Sequence, residues 1–326
     1  MGEIDGIAKF GYISTIFFSD FAYHICKETL LDMCCISSMS ELNLIVSFIS
    51  TILYFLLKSV YYSPITSALP KYTVLYIACL SVLRFITNSK SLALNSNSSY
   101  RLYQLLSIPM TLIINKNRQN ITPHGYFCLT SLFLGCVLIS TDSFNFNPSG
   151  AILGLGSSAI TAILISTIQH AATVTGISSL ALQAIASFPR LLISIVFSAA
   201  THALPSKSDS ISFYPYSIFL FISASALEVA KTVSMTSEIV SDSAISYLVI
   251  EQFCEVLIIL VGHTLNPTRF TTFSEAILSF MGFILVIPSV LIFLIIGDKG
   301  ETKPTDVEPF RVPDNEVDPV VDEHSN

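Results

Sequence analysis

The sequence predicts an all-α integral membrane protein of ten transmembrane helices, arranged as two inverted five-helix repeats, and three observations carry that prediction. Hydrophobic residues make up 52% of the 326 positions and charged residues only 12%, a balance outside the range of ordinary soluble domains. The apolar residues gather in long runs separated by short polar gaps; about 20 such residues cross a hydrocarbon core, and there the cost of unpaired backbone groups requires them to be helical. The third observation is an internal repeat. A shift of 147 positions carries Asn95 onto Asp242, Ser96 onto Ser243, Ser99 onto Ser246, Tyr100 onto Tyr247 and Gln104 onto Glu251. With no gap, the same shift carries Arg84 onto Lys231, Phe133 onto Phe280, Gly135 onto Gly282 and Leu138 onto Leu285.

The runs lie at 10–24, 42–57, 74–87, 99–115, 126–140, 150–167, 177–200, 214–235, 244–261 and 273–296. The first lacks a basic leader and is expected to be a retained span rather than a signal peptide. Runs one to five form a first repeat, 1–147, and runs six to ten a second, 148–297. The break falls at Asp142 to Gly150, rich in the Asn, Pro, Ser and Gly of a turn. Because each half has an odd number of spans, the halves enter the membrane from opposite sides and bring residues 147 apart face to face near its midplane. The sixth run contains Gly154, Gly156, Ser157, Ser158 and Ala159, small residues that let helix backbones approach closely in lipid. Residues 298–326 hold most of the net charge of −7 and four prolines, and are expected to form a disordered acidic tail.

Orientation follows from the basic residues of the loops. Cytosolic termini put Lys9, Lys58, Lys71, Lys116, Arg118, Lys299 and Lys303 inside, against Lys27, Lys90, Arg101, Lys207 and Arg269 outside. The seven cysteines lie mostly in or beside apolar runs with neither CxxC nor metal-ligand spacing, so no metal or cofactor is implied. No nucleophile or Gly-rich phosphate loop stands at a workable spacing either, which argues against an enzyme.

Ionisable side chains inside spans are costly and mark candidate sites. Arg84 falls in the third run, Glu228 and Lys231 in the eighth, and Glu251 and Glu255 in the ninth. Arg84 and Lys231, related by the repeat, suit a multiply charged anion, arginine as a fork and lysine as a compact charge. Glu228 and Lys231 also share a helix face, so an internal ion pair is the alternative. Glu251 and Glu255 share a face as well, and would repel unless one is protonated or both are paired with the cations. Tyr100, Tyr103, Gln104 and Tyr247 offer rings and an amide to a base or sugar, the tyrosines alternatively forming an interfacial belt. Lys27 could close the entrance or snorkel to the interface.

In its motifs the chain resembles the nucleotide-sugar and triose-phosphate transporter families of the drug/metabolite transporter superfamily. The likeness spreads over most of 10–297 and rests on Lys27 to Leu31, on Asn88 to Leu92 followed by Tyr103, Gln104 and Pro109, on Asp142 to Asn147 leading to Gly150, and on Ser243 to Tyr247. The order and spacing of these segments carry it, rather than any one motif. The chain departs from the family where lysines are expected to bind phosphate: Ser107 stands three residues after the Tyr-Gln pair, and Cys254 stands in the ninth span.

The resemblance implies a secondary antiporter of Golgi or endoplasmic reticulum membrane that carries a nucleotide sugar or related sugar phosphate by alternating access. Its partners would be that anionic substrate, a nucleoside monophosphate or phosphate as counter-substrate, and the bilayer, with no nucleic acid; a homodimer is compatible with it. The substrate-binding candidates are Lys27, Arg84, Tyr103, Gln104, Lys231, Tyr247 and Glu251, with Glu228 and Glu255 as ion-pair or proton sites. The missing lysines keep two alternatives open: a proton-coupled carrier of a neutral or cationic metabolite, and a non-transporting scaffold of the same fold.

Overall fold

The computed structural model describes residues 11, 14–19, 21–23, 25–26, 29–30, 39–60, 69–95, 97–116, 121–140, 147–202, 215–241, 243–265 and 273–297. Among them ten α-helices follow one another: α1 Met39–Val60, α2 Lys71–Leu94, α3 Asn97–Leu105, α4 Ser107–Ile114, α5 Pro123–Ile139, α6 Pro148–Thr175, α7 Ser179–His202, α8 Pro215–Ser241, α9 Ala244–Leu265 and α10 Phe273–Ile292. A short π-helix at Phe293–Gly297 continues α10, and the described residues between 11 and 30 are helical. No strand is present among the described residues.

Among the described residues, six helical stretches are long and apolar enough to cross a bilayer: Leu42–Ser59, Lys71–Leu94, Pro148–Thr175, Ser179–Ala200, Tyr216–Val240 and Ala276–Ile295. The chain is therefore a helical membrane protein. The apolar helix Pro123–Ile139 is shorter, and the run expected at 99–115 is not one helix. It breaks at Leu106 into α3 and α4. The cause is Pro109, which has no N–H to give the Leu105 carbonyl and whose ring crowds it. The chain tightens instead, with Leu106 N–H bonding to the Tyr103 carbonyl at 3.1 Å, and restarts. The expected acidic tail lies outside the described residues.

Helix ends are written in the sequence. Thr122 caps α5, its hydroxyl accepting from Gly125 N–H at 3.0 Å, with Pro123 next. Asn147 caps α6 through bonds to the N–H groups of Ser149 and Gly150, again ahead of a proline. These caps meet donors that a helix start leaves unpaired. At its far end α6 stops at Gly176, whose φ of 62° suits a residue without Cβ. Within the helices, hydroxyls are satisfied one turn back: Thr51 on Ser47 O, Ser81 on Ile77 O and Thr167 on Ile163 O, each at 2.7 Å.

Contact is most extensive between α5 and α10 and between α2 and α6; α1 and α2 both lie against α7, and α8 lies against α1. Lipid is as apolar as the helix surfaces, so dispersion and close backbone approach hold such pairs. At the α5–α10 crossing, a Cβ on Gly135 would meet Val286 Cγ2 at 2.6 Å and the Gly282 carbonyl at 2.9 Å. Reciprocally, a Cβ on Gly282 would meet Ile139 Cγ1 at 2.5 Å and the Gly135 carbonyl at 2.7 Å. Of the small residues in the sixth run, Gly154 receives the ring of Tyr103, whereas Gly156 faces open space.

Gly282→Ala should therefore cost about 1–3 kcal/mol through overpacking against a backbone carbonyl, read as a lower melting temperature of the detergent-solubilised protein. Gly156→Ala, which meets nothing within 4 Å, should leave stability unchanged or raise it by a few tenths to ~1 kcal/mol. Equal melting temperatures for the two variants would contradict the crossing.

Candidate functional site

A polar cavity of about 320 Å³ opens among α1, α2, α3, α6, α7, α8 and α9, with Tyr23 from the first helical segment on its wall. It runs between two ends of the bundle. At one end Asn147 and Gly150, at the start of α6, lie against Leu94 and Ser91 at the finish of α2. At the other, α6 turns at Gly176 into α7, where Ser179 bonds to Ser237 at 2.8 Å and Gln183 to Thr236 at 2.7 Å, beside the start of α9. The α6–α7 end is sealed. There Gln183 and Tyr247 are 1% and 0% exposed, and Leu164, Ile168 and Met235 are buried. Towards the α2–α3 end, Ser89, Leu92, Tyr100 and Arg101 remain partly exposed.

Among the described residues the cavity gathers seven charged side chains: Arg84, Arg101, Arg190 and Lys231 against Glu228, Glu251 and Glu255. Arg84 Nη2 lies 2.8 Å from Glu251 Oε1, joining α2 to α9, with side-chain exposures of 18% and 15%. Arg101 Nη1 donates to the Glu255 carbonyl oxygen at 3.1 Å, and its Nη2 lies 3.7 Å from Glu255 Oε2, joining α3 to α9. Glu228 accepts from Ser50 at 3.3 Å, joining α8 to α1. Arg190 Nη2 donates to Gln183 Oε1 at 2.9 Å. Among the described lining residues four cations stand against three carboxylates, two of the carboxylates held by arginines, an excess that can attract an anion.

Of the candidates named from sequence, Arg84, Gln104, Lys231, Tyr247, Glu251, Glu228 and Glu255 line this cavity, as does Tyr100. Gln104 bonds to Asn88 Oδ1 at 2.8 Å and Ser157 Oγ at 3.1 Å, and Ser157 also bonds to Asn88. Tyr103 is not on the cavity wall; its ring packs on Gly154 and its carbonyl accepts from Ser158. Adjacent helical residues point about 100° apart, and here Gln104 takes the cavity side while Tyr103 turns to α6. Lys27 lies outside the described residues. Cys254 is buried against Ile16 and Ile250, turned from the cavity, and Ser107 is buried at the start of α4.

Sequence reasoning passed over Arg101, Arg190, Gln183 and Asn88. The loop count places Arg101 outside, yet it reaches into the bundle to Glu255. Arg190 lies well within the run 177–200, where the rule that an ionisable group inside a span marks a site was enough to find it.

The Arg84–Glu251 pair sets a stability test. Glu251→Gln leaves Arg84 without its anion and should cost about 1–3 kcal/mol, less than a fully dry pair because the cavity admits water. Replacing both by Gln should recover most of that loss in thermal melts. A single variant as stable as the parent would show that the pair does not hold α2 to α9.

No family model and no curated protein matches this chain. Among 29 matching chains of solved structures, one described as "Crystal structure of protein" superposes with a TM-score of 0.66 at 11% identity, over 88% of this chain and 96% of its own. At that identity the similarity is one of fold.

Proposed function

We propose that the protein is a ten-span secondary antiporter of two inverted five-helix repeats, moving a nucleotide sugar or related sugar phosphate across a Golgi or endoplasmic reticulum membrane. One observation carries this reading. Eight pairs of cavity-lining residues are separated by 147 positions: Asn43 and Arg190, Ser47 and Ser194, Ser81 and Glu228, Arg84 and Lys231, Phe85 and Thr232, Asn88 and Met235, Tyr100 and Tyr247, Gln104 and Glu251. A repeat read from sequence thus converges on one polar cavity, as two-fold related halves do around a midplane site.

The packing supports the same arrangement. The α5–α10 crossing is reciprocal under the offset, since Gly135 and Ile139 map onto Gly282 and Val286. The contact of α2 with α7 likewise has its counterpart in that of α8 with α1. With both termini cytosolic, the sealed α6–α7 end faces the cytosol and the partly exposed α2–α3 end faces the lumen. Alternating access then exchanges the two ends, Tyr100 taking the buried place that Tyr247 holds in this state. The excess of cations among the described lining residues favours an anion, and Asn88 and Gln104 offer amides to sugar hydroxyls or a base. Glu251 and Glu255 are engaged by arginines, which weighs against their serving as proton carriers.

Reconstitution in liposomes tests the proposal. Exchange uptake of radiolabelled nucleotide sugars and triose phosphates, with nucleoside monophosphate or phosphate inside, should be saturable for one member of the panel and depend on the internal anion. Folded protein that takes up none of them would contradict it, and uptake of a neutral or cationic solute driven by a pH gradient would point to a proton-coupled carrier.

A further inference from the structure

We infer that the oxyanion of the ligand seats on Arg190 of α7, held in place by Gln183; this rests on the anion-transport reading and specifies its phosphate site. The four cavity cations differ in what already occupies them. Arg84 and Arg101 contact Glu251 and Glu255, and Lys231 has interactions of its own. Arg190 has no carboxylate within 4.0 Å among the described residues. Its partner is a neutral amide, the Gln183 oxygen at 2.9 Å, and its Nε is buried without a hydrogen-bond partner. A buried donor left unmet by the protein is a donor kept for something else.

Gln183 is fixed to present oxygen rather than nitrogen. Its Nε2 donates to Thr236 Oγ1 at 2.7 Å, and the Thr236 hydroxyl donates in turn to the Thr232 carbonyl at 2.8 Å. The chain of bonds orients the guanidinium without neutralising it, whereas a carboxylate in the same place would cancel the charge. What remains is a charged guanidinium on the cavity wall with one buried donor that the protein leaves unmet, and a planar guanidinium suits a phosphate-type oxyanion. Under the 147 offset Arg190 corresponds to Asn43, also on the wall but neutral, so the seat belongs to one half and gives the bound ligand a direction.

The experiment uses the purified full chain in detergent, with UMP, GMP and inorganic phosphate as probes and uridine and guanosine as neutral controls. At least one anion should raise the melting temperature while the nucleosides do not. Arg190→Gln should weaken that anion by about 10- to 100-fold, the loss of a charge-assisted bond, and Arg190→Lys, which keeps charge but not the fork, should recover part of it. Unchanged affinity in Arg190→Gln would overturn the seat and leave the transport reading standing. Should Arg190→Gln fail to fold, Arg190→Lys decides alone, and parental affinity there overturns the seat. A parent protein stabilised by none of the anions would overturn both.

Discussion

An arginine and a glutamate 2.8 Å apart inside an apolar helical bundle are the constraint on which the rest of this structure depends. Either charge alone near the middle of a span costs about 2.5–3.5 kcal/mol on insertion scales. Together, Arg84 and Glu251 offset that cost, and in doing so they fasten α2 to α9. Arg101 and Glu255 repeat the device one turn along α9, reaching to α3. The glutamates of the ninth run therefore act as anchors for arginines. Arg190, with no carboxylate within 4.0 Å among the described residues, is oriented by an amide instead of an acid.

The shape of the cavity follows from where the bundle is allowed to be tight. Gly135 and Gly282 let α5 and α10 cross with their backbones in contact, away from the polar residues. The helix turns at Gly176 and the bonds of α7 to Ser237 and Thr236 draw the α6–α7 end shut. The opposite end keeps partly exposed polar side chains. One sealed end and one partly open end is the asymmetry that the proposed inverted repeat would permit, since each half could play either part. In the proposed exchange cycle, the two ends trade these roles while the charged centre stays between them.

Much of this was legible in the sequence, for identifiable reasons. Apolar runs read as helices because lipid leaves no other way to satisfy the backbone, and the caps at Thr122 and Asn147 stand next to prolines that mark the helix starts. The offset between Arg84 and Lys231, or Tyr100 and Tyr247, needed only counting, and those residues do meet on one cavity wall. What could not be read was rotation. A run that is hydrophobic all round carries no stripe to say which side faces inward, so Tyr103 and Gln104, or Cys254 and Glu255, looked equivalent until the helices were packed. Pro109 was in view as the cause of a break, but its apolar surroundings read as one continuous run. Arg190 needed no structure to be found, since it is an ionisable residue well inside the run 177–200.

The central claim is that the cavity communicates with both faces of the membrane in turn, and thiol accessibility tests it most directly. In a chain whose seven cysteines have been replaced and which still inserts, a cysteine is introduced at Ser89 near the partly open end or at Met235 near the sealed one. A membrane-impermeant maleimide is then applied to each face separately. The account predicts that Ser89→Cys labels from one face and Met235→Cys from the opposite face, with a transported ligand shifting the two rates in opposite directions. A Met235→Cys that stays unreactive from both faces, with and without ligand, would mean a static cavity and contradict the account.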